Sequence, residues 1–310
     1  MLSTIKADNI KSPVRKVKGA VAVYRAATLL KTYTYQDDLK EFTLERISEG
    51  SKFFGYGVAQ RVNVKFRDTQ RTNPVLPGDI FTLSLDCNDA DTYAFTSGKY
   101  YISERRRDEN TNELSIFAYD KLKDATEHYT SEVDFSSCET FYAYMVAIKD
   151  FLGLDGLVLK DFPLADAQSA AKADLEGSET LRGLLDDLAE ATQTIYYINC
   201  ENKLVFRRLS KSGEDLVLNK DDYTALKSGD NRRLQTICAA TQLGNNVSAS
   251  TSSVGTTQYI RDNDFWNTDD NIQSAVDTAL ALYGDFSINQ FNVTWRGDYR
   301  LEVGDRLKIE

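Results

Sequence analysis

The chain of 310 residues contains a single histidine, His128. That scarcity excludes most zinc sites and confines histidine acid–base catalysis to the surroundings of that residue. No HExxH segment and no nucleophile elbow occurs. The four cysteines (Cys87, Cys138, Cys200 and Cys238) are far apart and form no CxxC. They read as reduced, buried thiols rather than a disulfide framework. No stretch approaches ~18 consecutive apolar residues, so no transmembrane helix is expected. The N-terminal stretch lacks the compact apolar core and small-residue cleavage site of a signal peptide. Positive charge is also short: 37 Lys and Arg stand against 47 Asp and Glu, a net charge of -10. Such a chain is a poor partner for nucleic-acid phosphates or anionic membrane surfaces, and neither is expected. With 42% apolar residues it has ample material for a core.

The first half reads as β. Phe42 and Leu44 alternate in Lys40–Ile47, and Val62, Val64 and Phe66 alternate with Arg61, Asn63 and Lys65. Pro77-Gly78-Asp79 is a turn that feeds another alternating run from Ile80. Tyr100–Arg106 and Leu114–Tyr119 are the arms of a hairpin with a polar loop between them. The middle changes period. Ser136 or Ser137 can cap a helix carrying Phe141, Met145 and Ile148 and stopped by Gly153. A second helix opens at Ser178 with the stripe Leu181, Leu184, Leu185 and Leu188. Ile195–Asn199 and Leu204–Leu209 follow as a hairpin, so an α/β unit spans roughly residues 131–210. In the last third, the stretch beginning at Leu234 is a strand and Asn245–Gln258 is a loop or an irregular hairpin. A helix capped by Thr268 or Asp269 turns Ile272, Val276 and Tyr283 inward and ends at Gly284. Strands then surround Gly297-Asp298 and Gly304-Asp305. The Gly78-Asp79 and Gly304-Asp305 turns, each feeding a strand, echo one another as two similar β domains would. The chain stops at Glu310 in mid-strand, which suggests a continuation.

Candidate chemistry is thin. Gly55-Tyr56-Gly57 lacks the third glycine of a dinucleotide loop and leads into a strand, so a bulge or sharp bend is expected there. His128 beside Glu127 matches a common surface pattern. Asp186, Asp187 and Glu190 lie opposite the leucine stripe, which predicts a solvated helix face rather than a metal or acid–base site. Arg105-Arg106-Arg107 precede Asp108 and Glu109 and are expected to pair locally. Asp262, Asp264, Asp269 and Asp270 lack the ordered spacing and glycine of a calcium loop. No metal, cofactor or catalytic residue is assigned. In Tyr100-Tyr101 and Tyr196-Tyr197, strand alternation predicts one outward ring per pair, a surface suited to assembly.

The phrase Ser178–Leu209, a helix leading into a hairpin with an aromatic-then-basic strand, resembles a unit of phage tail hub proteins, the tail-associated and baseplate hub family. Phe42–Asp68 resembles the opening barrel of such proteins, and Trp295–Asp298 with Gly304-Asp305 looks like the closing one. The resemblance covers most of the chain in order. It implies a mainly β fold with an α+β insertion: two β-barrel-like domains plus smaller α/β domains. Residues 1–130 would form the first barrel, completed by about 211–242; 131–210 would be the insertion, and 243–310 the second β domain with one helix. It further implies a homotrimeric ring at the virion tail tip, assembled in the bacterial host cytoplasm. Its partners would be the tail tube, the distal tail protein and the tape measure protein. Phe53, Phe54 and Tyr56 would be candidates for subunit contacts. Two other readings compete: a tail-associated peptidoglycan hydrolase or endopeptidase, and a cell-wall carbohydrate-binding module stacking sugars on Trp266 and Trp295.

Overall fold

Alternating segments become strands in the order the chain supplies them. The computed structural model describes residues 17–34, 38–47, 52–68, 73–87, 95–175, 177–210, 216–240, 246–260, 263–266, 269–284, 286–295 and 301–310. The first half holds β1 (Val17–Arg25), β2 (Thr28–Thr34), β3 (Leu39–Ile47), β4 (Tyr56–Arg67), β5 (Ile80–Cys87), β6 (Phe95–Asp108) and β7 (Glu113–Tyr119). Then come α1 (Phe141–Phe151), β8 (Gly156–Lys160), α2 (Leu164–Ala167), α3 (Leu181–Ala191), β9 (Ile195–Ile198) and β10 (Lys203–Arg207). The last third supplies β11 (Leu216–Leu218), β12 (Tyr223–Ala240), β13 (Asn246–Ser250), β14 (Thr256–Ile260), α4 (Asp269–Tyr283), β15 (Ser287–Trp295) and β16 (Leu307–Ile309).

The main sheet runs β2-β1-β5-β6-β7-β4-β9-β10-β8, with β3 paired to β4. It carries the expected hairpin of β6 and β7, with Tyr101 opposite Tyr119 and Asp108 opposite Glu113. Along β4 the alternation buries Val62, Val64 and Phe66 against Phe81, Leu83, Leu114 and Ile116. The sheet does not close. Among the described residues β2 and β3 are not paired, so the barrel-like first domain that the resemblance implies is an open sheet. Charged and polar residues, including Lys31 and Lys40, lie on these two strands and discourage edge pairing. Meanwhile β4 runs on past its antiparallel partners, and Tyr56–Val58 pair in parallel with Ile195–Tyr197. The inserted unit thereby continues the same sheet. The strand β12 pairs with β13, β14 and β15 rather than with this sheet.

The helix periodicity holds, with boundaries moved inward. Thr140 caps α1 by accepting from the Ala143 backbone N–H, rather than Ser136 or Ser137. Thr180 caps α3 in the same way through Gly183. Burial of the α3 leucines is complete, and the stripe joins Met145, Ile148, Tyr196 and Phe206 in one core. At about 1.5–3 kcal/mol per fully buried side chain, these leucines contribute strongly to holding the unit together. The same core extends through Phe53 and Phe54 to Ile272, Val276 and Tyr283 of α4. The Ser/Thr-rich stretch after Asn245 is not a hairpin: β13 pairs antiparallel and β14 parallel with opposite sides of β12. Gly297-Asp298 lies outside the described residues.

Candidate functional site

Four segments far apart in the chain meet at Phe53–Gly57. Gly55 has φ +76, a left-handed conformation that favours glycine, and its N–H donates to the Thr194 carbonyl at 2.8 Å. A Cβ on Gly55 would lie 2.1 Å from Glu190 Cγ, and one on Gly57 2.4 Å from the Tyr196 ring. These glycines therefore let β4 approach α3 and β9 closely. They cradle no phosphate: protein atoms fill the space beside them. The Gln258 side chain of β14 completes the joint. Its Oε1 accepts from the Phe53 N–H at 2.8 Å and its Nε2 donates to the Phe54 carbonyl at 3.2 Å. Phe54 stacks on Tyr283 of α4 with centroids 5.2 Å apart, and the Tyr283 hydroxyl donates to the Gln193 carbonyl at 2.7 Å. Phe53 and Phe54 thus lie inside this chain, where they join its parts, while Tyr56 is half-buried.

The polar face of α3 is covered rather than solvated, a correction to the sequence reading. The segment Asn263–Trp266 folds over it. Asp264 N–H donates to Asp187 Oδ2 at 2.9 Å, and Asn263 Nδ2 donates to the Asp187 carbonyl at 3.0 Å. Glu190 is buried and paired with Lys52 Nζ at 2.7 Å. Glu179, Asp187 and Asp264 each place a carboxylate oxygen within 4.8 Å of the others. Burial first, then proximity of Asp264, pushes the Glu179 carboxyl up to about 9; burial with the neighbouring Glu190 and Asp264 charges pushes Asp187 up to about 8. Closeness of the Asp264 carboxyl thus favours the protonated form of Glu179.

The sign of the pH effect follows. Both carboxyls bind protons more tightly folded than unfolded, so their contribution is full below the ordinary carboxylate range near 4 and is lost as pH rises toward 8–9. Each such group lowers stability by at most about 1.4 kcal/mol per pH unit in that window. Thermal unfolding between pH 5 and 9 should show a falling midpoint, and Asp187→Asn should flatten the slope. An unchanged slope in the variant would remove Asp187 from the account.

A second polar joint anchors the last ten residues. Arg207 is buried and donates to Asp305 Oδ1 at 2.7 Å and to the Val303 carbonyl at 2.8 Å. Lys160 pairs with Glu302 at 2.9 Å, and the Tyr197 hydroxyl reaches Glu302 at 3.2 Å. This explains why Tyr196 and Tyr197 are both buried: α3 residues cover one ring, the Glu302–Val303 turn the other. The expected outward ring is absent there. Arg207→Met should cost about 2 kcal/mol, measured by urea unfolding, because the Val303 carbonyl loses its guanidinium donor and Asp305 keeps, among the described residues, only Lys160, at 3.4 Å, as a cationic partner. A loss below about 1 kcal/mol would show that water replaces the guanidinium without penalty.

The remaining candidates fall in ordinary places. His128 pairs with Glu132 at 2.9 Å on the surface and meets the Phe151 ring edge-on, while Glu127 pairs with Lys123. Arg105 donates to the Val75 carbonyl at 2.8 Å, Arg106 pairs with Glu104, and Arg107 pairs with buried Asp68. Asp108 accepts from the Asn110 N–H of the hairpin turn. Asp262 and the side chains of Asp269, Asp270 and Trp295 lie outside the described residues. Trp266 is buried, not available for stacking on sugar. Cys138, Cys200 and Cys238 are free thiols. An open cleft of about 830 Å³ lies between the inserted unit and α4, lined by Phe141, Phe162, Asp166, Arg208 and Trp266 among others. Sequence reading missed Glu179 and Gln258; no local pattern marks either, because their partners are distant in the chain.

No family model matches this chain, and no curated protein matches it. Solved structures do. The tail protein from Neisseria meningitidis MC58 superposes with a TM-score of 0.59 at 12% identity, covering 94% of this chain and 86% of that one. The 43 kDa tail protein of prophage MuSo2 from Shewanella oneidensis gives 0.57 at 12% identity, covering 94% and 88%. Prophage tail protein gp18 from Listeria monocytogenes EGD-e gives 0.56 at 13% identity, covering 94% and 84%. The chain therefore has a β-rich fold shared with phage tail proteins, as the resemblance in its sequence implied.

Proposed function

We propose that this chain is a structural component of a phage or prophage tail, placed at the tip as a hub. Three copies form a ring that connects the tail tube to the distal host-recognition or wall-penetrating parts. The distal tail protein and the end of the tape measure protein are its neighbours. The observation that carries this reading is a likeness to solved tail proteins spanning 94% of the chain, inserted unit included. The internal geometry agrees: the carboxyl, arginine and aromatic groups described above bind segments of the chain to each other. A non-enzymatic role suits such a part, and no observation favours the hydrolase or the sugar-binding reading over it.

The test is location. Antibody to this chain, applied to tails released from cells that carry its gene, should decorate one end of each tail in electron micrographs. Intact tails that carry no label, with the protein present only in free form, would sink the proposal.

A further inference from the structure

The N-terminal half of β12 and all of β15 form a two-stranded antiparallel ribbon. Tyr223 lies opposite Trp295, and Arg233 opposite Ser287. Farther along, from Leu234, β12 gains β13 and β14 as neighbours; in the ribbon, among the described residues, β15 is its one partner. Leu226 faces Val293 across the ladder, and Ser228 faces Phe291. Positions two apart share a face, so Leu226, Val293 and Phe291 make an apolar stripe. That stripe is open: Leu226 is 39% exposed and Phe291 45% exposed. A two-stranded ribbon with an uncovered apolar face is marginal in water.

Its outer edge is also permissive. The β15 sequence SINQFNVTW holds no charged residue and no proline. Edges that must stay single usually carry such residues. The β12 half of the ribbon, Tyr223–Arg233, contains Lys227, Arg232 and Arg233 against Asp230, a net +2. The rest of the chain then carries -10 - (+2) = -12. A cationic arm on an acidic body is complementary to another copy of that body.

We propose that the ribbon is a docking arm that seats on a second copy of this chain, which covers the Leu226–Phe291–Val293 stripe and the β15 edge. The number of copies rests on the ring reading above; the surface does not. A ribbon face of this length measures roughly 30 by 10 Å, or about 300 Å². A standard stable interface buries about 800 Å² per partner. One contact alone is therefore weak, and closing a ring multiplies it.

The test is absolute mass by light scattering across the micromolar range, on the full chain. Wild type should move from 34.9 kDa toward a multiple of it as concentration rises. Phe291→Lys and, independently, Leu226→Lys should raise the midpoint concentration about tenfold or more. Added salt should weaken wild-type association. Unchanged circular dichroism and thermal midpoint show that the variants fold. A wild type that stays monomeric throughout, or folded variants that assemble like wild type, overturns the proposal, even where antibody still marks the tail. Association that fails in both variants while tails go unlabelled keeps the arm and removes the hub.

Discussion

Gly55→Ala is expected to lower stability by about 3 kcal/mol or more. Two effects add. A residue with Cβ held at φ +76 costs roughly 1–2 kcal/mol, and the new methyl would sit 2.1 Å from Glu190 Cγ in a packed interior. Glu190 cannot swing away cheaply, because Lys52 and Asn263 hold its carboxylate and its own backbone lies 3.2 Å from the same Cβ. Gly78→Ala is the control. Gly78 has φ +88 with nothing within 4 Å of an added Cβ, so it should show the conformational cost alone. Urea midpoints for the two variants measure the difference. Equal midpoints would mean that the approach of β4 to α3 relaxes freely and that the glycine serves the turn alone.

The second large effect belongs to Phe54→Ala, with an expected loss of about 3–5 kcal/mol. Phe54 is fully buried and its ring stacks on Tyr283, so truncation opens a cavity between the main sheet's β4 segment and α4. The position also joins the segment before β4 to α4, so loss of the ring is expected to weaken the coupling between them. Calorimetry should therefore show one transition in wild type and a broadened or split transition in the variant. A single sharp transition with a loss below about 1 kcal/mol would show that Gln258 and the rest of the joint suffice without the ring.

Much of the fold was legible. Val62, Val64 and Phe66 alternate in the sequence and are buried in β4. Leu181, Leu184, Leu185 and Leu188 recur at helical spacing and are buried in α3. The Pro77-Gly78-Asp79 turn and the hairpin of β6 and β7 lie where turn chemistry and alternation put them. The errors share one cause. Opposite the leucine stripe, Asp187 and Glu190 read as solvated, yet Asn263 and Asp264 bond to them from 73 or more residues away. Strand alternation predicts one outward ring in Tyr196-Tyr197, yet α3 residues cover the first and Glu302 lies over the second. The resemblance implies a barrel-like first domain, yet among the described residues β2 and β3 are not paired.

Periodicity alone determined which residues form strands and helices, and which face of each is apolar. That information is local, since it depends on spacings of two and of three to four residues. It also placed the chain among β-rich proteins with one helical insertion. Only the tertiary structure decided what lies on each polar face, where the sheet ends, and which glycine is pressed against a helix. Those outcomes depend on contacts between residues far apart in the chain. A residue's own neighbours in sequence carry no record of the segment that folds over it.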